Sequence, residues 1–112
     1  MTWETQKSDD FIADFELGFV YYARKAGWAV GMAYLEAVHQ TLSLLATQPG
    51  LGRVRRYRDK HLRGIRSFRV RPPFNKHLIF YRFNDATLFA ERVVHGARDL
   101  PRRLLQPPGA EA

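Results

Sequence analysis

The residues of this 112-residue chain best equipped for chemistry are its basic ones. Between Arg53 and Lys76 stand ten Lys or Arg, at positions 53, 55, 56, 58, 60, 63, 66, 69, 71 and 76, against one acid, Asp59. The other 88 residues carry eight basic and ten acidic side chains, so the net charge of +7 is a local feature. A field of that sign favours acidic partners, either a nucleic acid or an acidic protein. Arg66, Arg69 and Arg71 fall on or beside one expected strand, and Lys76 and Arg82 on or beside the next. Arg92 belongs to the last strand, and Arg98 precedes a terminal helix. Converging guanidinium groups bind phosphate bidentately. The plainer reading of any single arginine is a solvated surface charge. Arg82 and Arg92, set within apolar runs, can instead pair with Glu91 or Asp85 across a hairpin, and Arg98 with Asp99 locally.

Other chemistries have little support. His39, His61, His77 and His95 stand alone, the chain has no cysteine, and no HxxxH or HExxH spacing occurs, so no metal site is expected. There is no GxSxG, and Ser8, Ser43 and Ser67 have no neighbouring histidine. Gly50-x-Gly52 is too short for a phosphate loop, so no cofactor is expected either. Acid–base work would fall to His77 or His95 with Arg66 and Arg69, because histidine alone has an unperturbed pKa near neutrality.

These side chains need elements to hold them. Trp3 to Lys7 offers only a weak strand signal. Ser8, Asp9 or Asp10 can cap a helix in which Phe11, Phe15, Phe19 and Tyr22, with Ile12 and Val20 alongside, form a face of period 3.6. That helix should end near Lys25, stopped by Gly27. A second, from Trp28 or Ala29 to Thr47, repeats Leu35, Val38, Leu42 and Leu45, with Met32 and Ala46 extending the face. Its small Ala29, Ala33 and Ala37 would admit a close neighbour, and Gln48-Pro49-Gly50 ends it. Leu51 to Arg63 has no period and reads as a basic loop with a possible strand start. Strands follow at about 65–71, 77–83 and 87–95, with Asn84-Asp85-Ala86 as the turn of the last hairpin. Gly96 frees the backbone, Asp99 is placed to cap a short helix, and Pro101 suits its first turn. The sequence therefore predicts an α+β fold: an N-terminal antiparallel helical hairpin packed on a three- to four-stranded antiparallel sheet, with a short C-terminal helix. One face of the sheet carries the hairpin, and the other is expected to be partly open and to carry arginines.

Length and composition fit one domain over residues 1–105, with 106–112 expected as a flexible tail. Hydrophobic content of 46% and eight Phe support a folded globule. No apolar run approaches the roughly 20 residues that span a membrane, and MTWETQKSDD lacks a signal-peptide apolar stretch. With no cysteine present, a cytoplasmic location is expected.

The segment LIFYRF, a turn, and then ERVVHGARDLPRRLL resembles the C-terminal half of ParE toxins, of the RelE/ParE superfamily of bacterial type II toxin–antitoxin systems. Two helices followed by a basic sheet are similar to that family's arrangement. The resemblance implies a non-enzymatic toxin that binds DNA gyrase and stalls it with DNA cleaved. It also implies neutralisation by a ParD-type antitoxin whose C-terminal half folds onto the toxin. Arg69, Arg71, Lys76, Arg98, Arg102 and Arg103 are the candidate target contacts. Phe15, Phe19, Tyr22, Trp28 and Tyr34 are the candidate antitoxin contacts, since the aromatics of the hairpin cannot all point inward. RelE-like members of the superfamily instead cut mRNA on the ribosome, typically with a tyrosine near the C-terminus. Here the last tyrosine is Tyr81; in a nuclease, Arg66, Arg69, His77 and His95 would be the catalytic candidates. A third alternative is a non-catalytic nucleic-acid-binding module or an inactive remnant.

Overall fold

Ser8 sets the start of the first helix. In the computed structural model, which describes residues 1–96 and 99–110, its backbone is extended and its hydroxyl accepts the Phe11 N–H at 2.9 Å. Asp9 and Asp10 then put negative charge at the positive end of α1, Asp9–Ala26. Gly27, at φ 98°, closes α1 through its N–H to the Ala23 carbonyl and leads directly into α2, Trp28–Thr47. A side chain would be strained in that conformation. The hairpin link is thus one residue, shorter than the two or three expected.

The helices approach each other at glycines rather than at the expected alanines. A Cβ on Gly18 would stand 2.5 Å from the Tyr34 hydroxyl, and one on Gly31 would meet the Phe19 ring at 3.0 Å. Of Ala29, Ala33 and Ala37, only Ala37 is buried. The apolar stripe of α1 is also narrower than its sequence suggests. Phe11 is fully buried, Phe15 and Tyr22 are partly buried against the core, but Ile12 and Val20 are 41% and 40% exposed. Met32 of α2 likewise faces out.

Five strands form one sheet in the order β1-β5-β4-β3-β2. β3 (Arg66–Arg69), β4 (His77–Phe83) and β5 (Thr87–His95) make the expected antiparallel meander. The Asn84 side-chain carbonyl accepts the Ala86 and Thr87 N–H groups and shapes the turn. The sheet is larger than the expected three to four strands and is mixed. β1, Glu4–Lys7, runs parallel to β5 at one edge, and the two-residue β2, Arg53–Val54, extends the other. The weakly patterned N-terminus becomes a strand because the edge of β5 supplies its partners, Thr87 to Ala90.

Both faces of the sheet are covered. The hairpin packs Phe11, Tyr34, Val38, Leu42 and Leu45 on Ile79, Tyr81, Leu88 and Val93. The opposite face, expected to be partly open, carries a second core of Leu62, Ile65, Leu78, Phe80, Val94 and Leu104. Residues 57–65 and α3, Leu100–Leu105, supply its outer layer. The first five residues of β4, HLIFY, are all buried, as a strand covered on both sides requires. Asp99 precedes α3 in the left-handed region, φ 54°, and does not cap it with its side chain. It serves through its carbonyl, which accepts the Arg103 N–H. Gly96 is needed for closeness: a Cβ there would lie 2.6 Å from Leu78 Cδ1.

The Tyr81 hydroxyl ties the sheet to the loop after α2, donating to the Pro49 carbonyl at 2.6 Å and accepting the Gly52 N–H at 2.8 Å. Tyr81→Phe strands both buried groups. Urea unfolding should show a loss of about 1–3 kcal/mol; an unchanged midpoint would mean that water replaces the hydroxyl.

Candidate functional site

A β-bulge shapes the surroundings of the candidate site. Phe80 pairs with Arg92 but Tyr81 with Ala90, so Glu91 is an extra residue in β5. The shift lets Ala90 and then Val93 face the main core, and Val94 the second one. Arg92, between them, is 7% exposed and reaches in two directions. Its Nε donates to Asp14 Oδ2 at 2.7 Å and its Nη2 to Asp14 Oδ1 at 3.1 Å. Its Nη1 donates to the carbonyls of Arg103, Leu104 and Gln106 at the end of α3. Asp14 Oδ2 also accepts the Val93 N–H. Burial pushes the Asp14 carboxyl up, while the Arg92 guanidinium and the Val93 N–H pull it down. The pair joins α1, β5 and α3 at one point.

Beside that pair opens a cleft of about 680 Å³, lined by Leu17, Tyr21, Tyr22, His77, His95 and Arg103 among others. The Tyr22 hydroxyl lies 2.8 Å from His77 Nε2, and the His95 ring stands edge-on to His77 at 5.3 Å between centroids. Burial, with the nearby His95 and Arg103, lowers the His77 pKa to about 4, so its imidazole is neutral at pH 7. His95 is exposed, and the Arg103 guanidinium donates to its carbonyl. Residues 106–110, expected as a free tail, form part of the cleft wall: Gln106, Pro107, Gly109 and Ala110 line it.

The four residues of a nuclease reading do not converge. Arg66 pairs with Tyr81 and Arg69 with Leu78, which puts the two arginines on opposite faces of β3. Arg66 donates to the Gly52 and Gly50 carbonyls and lies 5.4 Å over the Phe83 ring. Arg69 binds the Asn75 carbonyl. Only His77 and His95 meet. Among the described residues no group of three or more His, Asp or Glu is placed to hold a metal ion.

Of the candidate target contacts, Arg69, Arg71, Lys76 and Arg102 are exposed and Arg103 is half-buried. Arg71 reaches Gln40 Oε1 at 2.9 Å. Arg98 lies outside the described residues. Of the candidate antitoxin contacts, Trp28 is 69% exposed with its ring edge-on to Phe19, and Phe15, Phe19 and Tyr22 are half-buried. Tyr34 is a correction. It is fully buried beneath Phe15, Tyr22 and Phe74, because Gly18 leaves room for its ring in the core. Arg82 pairs with Glu91 across the hairpin as expected, and it also donates to the His61 and Arg63 carbonyls. Arg92 finds Asp14 rather than Glu91 or Asp85. Sequence reasoning missed Asp14, an acid set within the Phe11–Phe15 stripe whose partner lies 78 positions away.

The sequence matches the family described as ParE toxin of the type II toxin–antitoxin system, parDE, over residues 6–100. Two solved structures share the fold. One is the chromosomal ParDE toxin–antitoxin system from P. aeruginosa, at 11% identity, TM-score 0.69, covering 86% of this chain and 98% of that one. The other is YafQ from E. coli strain BL21(DE3), at 18% identity, TM-score 0.54, covering 83% and 92% respectively. No curated protein matches the chain.

Removing one member of the buried pair leaves the other charge unpaired. Asp14→Ala should therefore lower stability by about 3–5 kcal/mol in urea or thermal unfolding. A loss below about 1 kcal/mol would show that water reaches Arg92. His77 sets a pH dependence. Its folded pKa is depressed, so its contribution is present above the unfolded value of about 6.5 and is lost as pH falls toward 4. The shift corresponds to about 3 kcal/mol. The difference in stability between the parent chain and His77→Phe should shrink across that window; a constant difference would contradict a neutral buried His77.

Proposed function

As this chain belongs to the ParE toxin family of type II toxin–antitoxin systems, we propose that it inhibits DNA gyrase by binding and is held in check by a ParD-like antitoxin. The observation that carries the gyrase reading is the segment from His95 to Leu105. It is basic, contains no tyrosine, and presents Arg102 on the face of the sheet away from the hairpin. The last tyrosine, Tyr81, is buried with its hydroxyl committed to Pro49 and Gly52, so it is not free for proton transfer. Arg69, Arg71, Lys76, Arg102 and Arg103 are the target contacts in this reading, and Arg98 joins them from the sequence alone. Antitoxin contacts fall on the hairpin, where Phe15, Phe19, Tyr22 and Trp28 sit with the exposed Ile12, Val20, Tyr21 and Met32. An amphipathic helix of an acidic partner suits that surface. In this reading the chain acts in the bacterial cytoplasm, where gyrase and antitoxin are. Among the described residues no helix is long and apolar enough to cross a membrane.

The second reading, a ribosome-dependent mRNA endonuclease, draws on the cleft. There Tyr22, neutral His77, exposed His95 and Arg103 are gathered, a set suited to moving a proton beside a phosphate. A translation extract programmed with a defined message distinguishes the two. Codon-specific cuts that His95→Ala abolishes would support the nuclease.

Deleting α3 would be uninformative, since it removes Leu104 and the carbonyls that hold Arg92. Surface variants serve better. R69A/K76A/R102A should weaken inhibition of gyrase supercoiling by about tenfold or more, near 1.4 kcal/mol, and leave antitoxin binding intact. Trp28→Ala should do the reverse. Equal loss of both activities in either variant would contradict separate surfaces.

A further inference from the structure

The loop from Arg53 to Arg63 is not among the contacts assigned above, yet it holds the densest charge in the molecule. It contains Arg53, Arg55, Arg56, Arg58, Lys60 and Arg63 against one acid, Asp59. Asp59 is occupied locally: its carboxylate accepts the His61 N–H and contacts His61 Nδ1. Arg55 is held by Ser67 Oγ at 2.7 Å. The side chains of Arg53, Arg56, Arg58, Lys60 and Arg63 form no hydrogen bond or ion pair among the described residues, and all five are exposed.

The loop that displays these cations is well anchored. Arg53 and Val54 pair with β3, and the Arg55 N–H donates to the Ile65 carbonyl. The Arg82 guanidinium donates to the His61 and Arg63 carbonyls while it pairs with Glu91. Leu62 and Ile65 are buried in the second core, and Tyr57 packs against it. Five cations are therefore presented from a fixed backbone, which reduces the ordering cost of binding an anion.

The chemistry of the outer surface selects the partner. Protein interfaces have an apolar centre. In this loop Tyr57 and Leu62 turn inward, leaving Val54 as the one large apolar side chain that is exposed. Single-stranded nucleic acid is bound on exposed aromatic platforms; in residues 53–63 Tyr57 packs against the second core and the exposed His61 is held by Asp59. Regularly charged duplex backbone needs neither feature. We infer that residues 53–63 form a docking surface for the phosphate backbone of a nucleic-acid duplex, contacted by Arg53, Arg56, Arg58, Lys60 and Arg63 without reading base sequence. This surface shares the second core with α3, so a duplex lying on it also approaches Arg102. The inference does not depend on gyrase being the target: the loop binds duplex whether or not the enzyme is present.

Fluorescence anisotropy with the full chain and a labelled duplex of about 20 base pairs tests it, in DNA and in RNA form, over about 50–200 mM salt. Five phosphate contacts give a slope of log K against log salt between about −4 and −5, hence about a 500-fold loss over that range. R56Q/R58Q should reduce the slope by about two with unchanged thermal stability. R24Q/K25Q, which removes the same charge from the end of α1, should leave the slope as it was. Both duplexes should bind within a few-fold of each other. Four results overturn the inference: no duplex binding at low salt, equal loss in both double variants, tighter binding of a single strand than of the duplex, or equally tight binding of a polyglutamate peptide.

Discussion

The contact between Arg92 and Asp14 is what the rest of the structure depends on. Two oppositely charged side chains are buried together from positions 78 residues apart in sequence. Such burial is costly unless every polar atom is satisfied, and here the guanidinium is met by a carboxylate and three carbonyls. Because its partners come from α1, β5 and the end of α3, the pair forms only when the hairpin, the sheet and the terminal helix have all arrived. A hydrophobic contact of the same area would tolerate sliding. This one fixes where α3 ends, and so where Arg102 and the cleft residues stand.

The sheet is thereby made two-sided. One side holds the hairpin, with Trp28 and its apolar neighbours facing solvent. The other holds a small second core roofed by residues 57–65 and α3, and its outer skin is basic. The division gives this small chain two surfaces of different chemistry, one apolar and one cationic, and these are the two proposed above for antitoxin and target. The cleft with Tyr22, His77 and His95 lies where the two sides meet. A partner seated on α1 near Tyr21 would therefore also cover it.

Much of the fold was legible from local pattern. Ser8, Gly27 and Asn84 punctuate the chain where the structure bends, and the 3.6 and 2.0 periods locate α1, α2 and the meander. What escaped was set by distant partners. Glu4 to Lys7 lack alternation and become a strand through the β5 edge. Tyr34 reads as one aromatic among several on a helix and is buried because of Gly18, sixteen positions earlier. Residues 57–65 have no period because only Tyr57, Leu62 and Ile65 need to turn inward. At the candidate site the pairing of Arg82 with Glu91 was readable across one hairpin. Asp14 with Arg92 was not, since the bulge at Glu91 that aims the arginine leaves no mark in the pattern. Arg66 and Arg69 looked like one cluster, yet three residues along a strand reverse the face.

The function proposed for this family member is decided most directly by the state of the DNA in a reaction of purified gyrase, plasmid and this chain. Quenched with detergent and protease, the reaction should yield linear DNA in proportion to the toxin added, and a stoichiometric ParD-like antitoxin should prevent it. Plasmid that remains intact and becomes fully supercoiled at saturating toxin would contradict the gyrase account.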